Sequence, residues 1–199
     1  MIDRRDLRAL ARWAVVLLAA YGAMWLALPR PRPATLAGRL MGPIRPLVVT
    51  VAWLRSDAAF ADGDTARGFV LAEQALELAP RDPGLWSALV WRQAVELASP
   101  DREPDPERRA RWLAAGLDLA ERAEGVVAEP AAFARLAGDV VMLQLREGIE
   151  PPAWPGGRAA LVDVARERYA RALALGDSLA SIGLEALERG EAERDADRD

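Results

Sequence analysis

The chain contains no cysteine, histidine, lysine or asparagine, and all 26 of its basic residues are arginine. Each absence removes a chemistry. Without histidine there is no imidazole base for a serine nucleophile, and without cysteine there is no thiolate, disulfide or ordinary zinc site. Without lysine there is no Schiff base and no phosphate-gripping P-loop lysine. Asp and Glu alone can still do general acid and base work or hold a hard cation. A GC-rich genome favours Arg over Lys and Ala, Gly and Pro over Asn, which accounts for most of the pattern. Missing cysteine says nothing about redox compartment. The expectation is a protein with no catalytic residue, no metal and no cofactor, and therefore an interaction protein. Its 199 residues suffice for one domain of ordinary size plus an appendage.

Charge is divided along the chain. Residues 1–45 carry eight Arg against two Asp, a net +6, and the remainder carries eighteen against twenty-eight, a net −10. The basic part flanks an apolar run: Trp13 to Leu28 has no charged residue, and residues 10–28 give about 19 positions, or about 28 Å of helix, close to the roughly 30 Å hydrocarbon thickness. Arg12 can snorkel to the headgroups, while Trp13 and Trp25 lie where amphipathic rings favour the interface. Pro29, Pro31 and Pro33, alternating with Arg30 and Arg32, stop the helix. A cleaved signal would need small residues at −3 and −1, and a cut after Ala27 would put Trp25 at −3. A buried soluble helix would show a polar face, and none interrupts this run. The expectation is a retained single-span anchor contacting lipid through residues 10–28. Arg4, Arg5 and Arg8 favour a cytoplasmic tail at a bacterial inner membrane, which would place the bulk of the chain on the periplasmic side, although Arg on the two flanks are nearly balanced.

Beyond the anchor, apolar residues recur at three and four positions. The pattern predicts helices over 47–61, 65–78, 83 to about 97, 107–127, 131–146, 158–175 and 178–188, with no alternating strand pattern. Asp62, Gly63 and Asp64 break the first pair, and Asp82 is placed to cap the third helix with Pro83 at its first position. The last stretch, residues 189–199, is charged with almost no apolar residue and is expected to fray. The organisation expected is an anchor and Pro-rich linker over 1–45, a helical domain over 46–188 and an acidic tail over 189–199.

Trp53, Phe60, Gly63, Ala75, Leu76, Leu78 and Pro80 together resemble one unit of the tetratricopeptide repeat (TPR) family, and Trp86 begins a second unit thirty-three residues after Trp53. A third begins near Phe133, with Leu136, Ala137 and Gly138 at the small-residue step and Ala165, Tyr169, Ala172, Leu173 and Leu175 in its second helix. The chain departs from the family at Asp57, which stands in a Gly position, and at Gly68, which replaces the usual Ala. The resemblance implies a TPR-like solenoid of helical hairpins that bind proteins, so the fold class expected is all-α, with the N-terminal transmembrane helix read from the apolar run followed by that solenoid. It also implies that the first helix of each hairpin lines a groove, which makes Trp91, Arg55 and Arg92 partner-binding candidates. An arginine there could grip a peptide carboxylate.

Units two and three are lengthened between their helices, by Ser99–Pro106 (SPDREPDP) and Gly148–Gly157 (GIEPPAWPGG). In a stacked array such turns share one edge, so the two insertions would project side by side. They read either as tolerated surface loops or as a partner-contact edge with Trp154, held between prolines, as its aromatic anchor. Trp53, Trp86 and Trp112 lie on apolar faces and read as core. Asp101, Glu103, Asp105 and Glu107 lack the turn glycine and ordered spacing of a calcium loop and read as a capped, solvated turn. The acidic helical part argues against nucleic acid, and no small-molecule substrate is expected. The functional expectation is a membrane-tethered adaptor for another protein, with a subunit or assembly factor of a larger membrane complex as the alternative.

Overall fold

The computed structural model describes residues 42–196, which are all-helical with no strand among them. A short 3-10 turn (Gly42–Ile44) leads into α1 (Arg45–Ala61) and α2 (Thr65–Leu78). Then follow α3 (Pro83–Trp91), continued by a π-helical turn (Arg92–Glu96), α4 (Pro106–Glu124), α5 (Pro130–Glu147), α6 (Gly157–Ala174) and α7 (Ala180–Ala196). Among the described residues no helix is long and apolar enough to cross a membrane. The expected span at 10–28 and its proline stop lie outside the described residues.

The chain divides into two compact units, one ending at Ala79 and one starting at Pro80. In the first, α1 and α2 form an antiparallel hairpin across the Asp62-Gly63-Asp64 break. Asp64 caps α2, its carboxylate accepting from Arg67 N at 3.1 Å. Gly68 has no side chain because the Phe60 ring occupies that space: a Cβ would lie 2.7 Å from Phe60 Cδ1. The same close approach lets the buried Ser56 hydroxyl donate to Gly68 O at 2.8 Å. Phe60 and Phe69 then meet edge to face with centroids 5.0 Å apart.

In the second unit each helix lies against the next, and α5 also touches α3 and α7, so α5 runs through the middle. Its core is continuous: Leu113 and Leu117 from α4, Val140, Val141 and Leu145 from α5, Leu161 and Tyr169 from α6, and Leu187 from α7. Asp82 caps α3 as the sequence predicts, accepting from Gly84 N at 2.9 Å, with Pro83 opening the helix. Trp86 is buried, donates Nε1–H to Pro80 O at 2.8 Å, and carries the Arg122 guanidinium over its ring. The acids between α3 and α4 form the expected capped turn: Asp105 accepts from Glu107 N at 2.9 Å, and Arg108 pairs with Asp105 and Glu103. No group of three or more acids among the described residues is arranged to hold a metal.

Two features differ from the sequence pattern. The helix expected to run from 83 to about 97 as one α-helix changes to a π turn over its last part. There α4 comes so close that a Cβ on Gly116 would lie 2.8 Å from Ala94 N. The buried Gln144 side chain of α5 donates to Ala94 O at 3.0 Å, tying the changed turn to α5. The second difference is at the end, where α7 continues to Ala196 rather than stopping near Glu188. Charge pairing offsets the missing apolar surface: Glu191 accepts from Arg158 of α6 at 2.9 Å, tying the polar part of the helix to the domain.

Candidate partner-binding surfaces

Two surfaces of the second unit stand out, and the first is the edge formed by the long turns. Gly148, at φ 63°, adopts the left-handed conformation that ends α5 and launches the turn, a conformation costly for a residue with a Cβ. The turn then folds on itself: Trp154 N donates to Pro151 O at 3.0 Å and Gly157 N to Trp154 O at 2.8 Å. Arg158, at the start of α6, holds it from behind, donating to Leu145 O at 3.0 Å and to Glu150 Oε1 at 2.8 Å. The guanidinium is held in its charged form by Glu150 and Glu191, against the cost of its burial. Pro100 of the preceding insertion and residues 148–152 line one cavity of about 510 Å³. The two insertions therefore meet on one side of the unit, as the sequence implies.

The second surface is a groove between α5 and α7 of about 520 Å³. Arg135, Asp139, Met142 and Arg146 recur along one face of α5, and Ile182, Gly183 and Ala186 along one face of α7, with Leu179 just before its first residue. Leu179 and Ile182 are largely exposed although apolar. A network fixes one end. Arg135 donates from Nε to Asp177 at 2.8 Å and from Nη1 to Asp139 at 2.9 Å, and Tyr169 OH donates to Asp139 at 3.0 Å. Burial, reinforced by the Asp139 charge, pushes the Tyr169 phenol well above its ordinary value, so it stays protonated and acts as a donor. The Arg135 hydrogen bond holds the Asp177 carboxyl below the ordinary range, and Asp177 raises the Arg135 guanidinium in turn. At the other end, Arg146 makes no ion pair among the described residues and also borders a second concavity, with Arg189 and Arg194. The groove thus presents an apolar strip between a braced polar end and a charged end, where Glu147 lies beside Arg146.

The residues singled out from the sequence are dispersed. Trp91 is 45 % exposed at the end of α3, and Arg92, beginning the π turn, lies 3.6 Å from Glu96. Arg55 is exposed on α1 and belongs to the first unit. Trp154 is half-buried and packs against the core beneath its turn, so it braces the edge as well as facing outward. None of Trp91, Arg92 and Trp154 lines either the edge cavity or the groove. Sequence reasoning missed the groove, although Arg135, Asp139, Met142 and Arg146 at helical spacing mark a face that is neither wholly apolar nor wholly solvated. It also missed Arg109, which lines the edge cavity. The signal was its place four residues before Leu113 on the apolar stripe of α4.

Comparison with known proteins leaves these surfaces to be read on their own: no protein-family model matches the chain, and neither does any curated protein or solved structure.

Proposed function

We propose that the protein is a membrane-tethered adaptor built of TPR-like helical hairpins, holding a protein partner near the bilayer. The observation that carries this reading is the α5–α7 groove, where Leu179 and Ile182 lie open beside charged rims. An apolar strip with a polar border is the ordinary anatomy of a protein-binding surface. Packing of each helix on the next, together with α3 on α5 and α5 on α7, supports a layered hairpin arrangement in the second unit. The apolar run over residues 10–28 supports the tether. Tethering raises the local concentration of a membrane-associated partner, so a groove of modest intrinsic affinity suffices.

The test has two arms. In membrane fractionation, the intact chain should leave the membrane only with detergent, and a form lacking residues 1–41 should appear in the aqueous fraction. Intact chain in the aqueous fraction after ordinary lysis would refute the tether. In affinity capture from solubilised membranes, Leu179→Asp with Ile182→Asp should lose the partner with unchanged helicity, because both side chains are exposed. Undiminished capture would remove the groove from the reading. Size measurement on gently solubilised protein separates a transient adaptor from a permanent subunit of a larger complex.

A further inference from the structure

Arg109 is a buried cation without a carboxylate partner. It retains only 9 % of its surface. Leu113 and Leu117, four and eight positions further along α4, are core residues, so the helical period turns the Arg109 side chain inward with them. Among the described residues, the one hydrogen bond of its side chain runs from Nη1 to Ile149 O at 3.5 Å, the outer limit for such a bond, and its Nε finds no acceptor. A guanidinium taken out of water with neither counter-charge nor a full set of acceptors is costly and calls for something to supply them.

What surrounds Arg109 is the edge cavity, walled by Pro100, Ile149, Glu150, Pro151 and Arg158. Arg158 already shares its charge with Glu150 and Glu191, at 2.8 and 2.9 Å. Arg109 is therefore the cation of this cavity that no carboxylate pairs, while Glu150, bonded to Arg158 through Oε1, keeps its Oε2 buried there without a hydrogen-bond partner. We infer that the cavity between the two long turns is a binding site for a single carboxylate group, held by the Arg109 guanidinium. The planar fork of arginine matches a carboxylate with two parallel hydrogen bonds. A phosphate dianion fits less well, because its second charge would face Glu150. The rigid Pro100, Pro151 and Pro152 walls add little ordering cost on binding. The site stands whether or not the chain is tethered to a membrane.

The experiment uses the full chain in detergent micelles. Sodium acetate, chloride and phosphate are compared at matched ionic strength, alongside a peptide whose only acid is its C-terminal carboxylate and an amidated peptide whose only acid is one Glu side chain. The readouts are the melting temperature and the arginine Nε–H resonances. Acetate should raise the melting temperature where chloride does not, and should move one Nε–H resonance that is missing from Arg109→Met. The two peptides then distinguish a terminal from a side-chain carboxylate, and acetate alone indicates a free small acid. Arg109→Met should fold, because methionine replaces an unpaired ion by an apolar chain, and should bind acetate at least about tenfold more weakly. Glu150→Gln should bind it at least about threefold more tightly by removing a neighbouring negative charge. Chloride or phosphate matching acetate, a resonance shift that survives in Arg109→Met, or unchanged affinity in Glu150→Gln would each overturn the site.

Discussion

At single residues, the tightest constraint in the second unit is the Tyr169 ring, which lies against two glycines from different helices. A Cβ on Gly138 of α5 would lie 2.9 Å from Tyr169 Cδ1, and one on Gly183 of α7 would meet the same ring at Cε1 and Cζ. The ring cannot withdraw, because its hydroxyl is fixed to Asp139 at 3.0 Å. Gly138→Ala should therefore destabilise by about 1–3 kcal/mol, the usual cost of overpacking a close-packed site. Paired with Tyr169→Leu, which vacates the ring position, the loss should be less than the sum of the single variants. Urea denaturation of the two single variants and the double variant measures this, and strict additivity would mean that ring and glycine do not compete for space. Gly138 was legible in the sequence as a small residue at a helix crossing, although its contact with the Tyr169 ring was not. Gly183 was not, because nothing in the local sequence around it says which ring it faces.

Elements were mostly legible because their signals are local. Asp64, Asp82 and Asp105 each cap the helix that follows them, and the Thr65–Leu78 helix has the bounds its apolar spacing implies. The π turn was invisible for the converse reason, since Gly116 and Gln144, which accommodate it, are remote in sequence. The start of α7 shows how a local cap can be coupled to a distant charge. Asp177 accepts from Leu179 N at 3.0 Å and from Arg135 Nε at 2.8 Å, joining the α6–α7 connection to α5. The Arg135 hydrogen bond is the largest cause of its lowered pKa. A carboxyl whose folded value is depressed contributes stability that is fully present above its unfolded value, about 4, and is lost as pH falls through the lower folded value. Acidification below about pH 4 should thus weaken this junction. Asp177→Asn should be less stable than the parent at neutral pH, with the difference narrowing as pH is lowered into that range. Parallel stability profiles for the two proteins from neutral to acid pH would show that the ion pair adds nothing to the junction.

For the whole molecule, the division at Ala79 and Pro80 makes a claim about independent folding. Every member of the continuous core, from Val90 to Leu187, belongs to the second unit. So do the devices that begin it: Asp82 caps α3, and Trp86 hydrogen-bonds to Pro80 O. The all-helical class was legible from the 3.6-residue period over the whole of this region, because a repeated amphipathic signal survives local errors at its boundaries. Its two binding surfaces were legible unequally. The meeting of the long turns followed from their equivalent places in successive hairpins, whereas the groove depends on how α7 lies against α5, which no single segment encodes. If the core is self-sufficient, a fragment of residues 80–199 should retain the helicity of this region and melt in one cooperative transition, as single domains of this size do. The residues it omits contribute no member of that core, so its midpoint should stay within a few degrees of the corresponding transition in the full chain. Circular dichroism and calorimetric melting of the fragment check this. A fragment that keeps its helicity but loses cooperativity and binds a hydrophobic dye would be a molten globule. The first unit would then be needed to fix the packing of the second, and the groove would exist only in the complete chain.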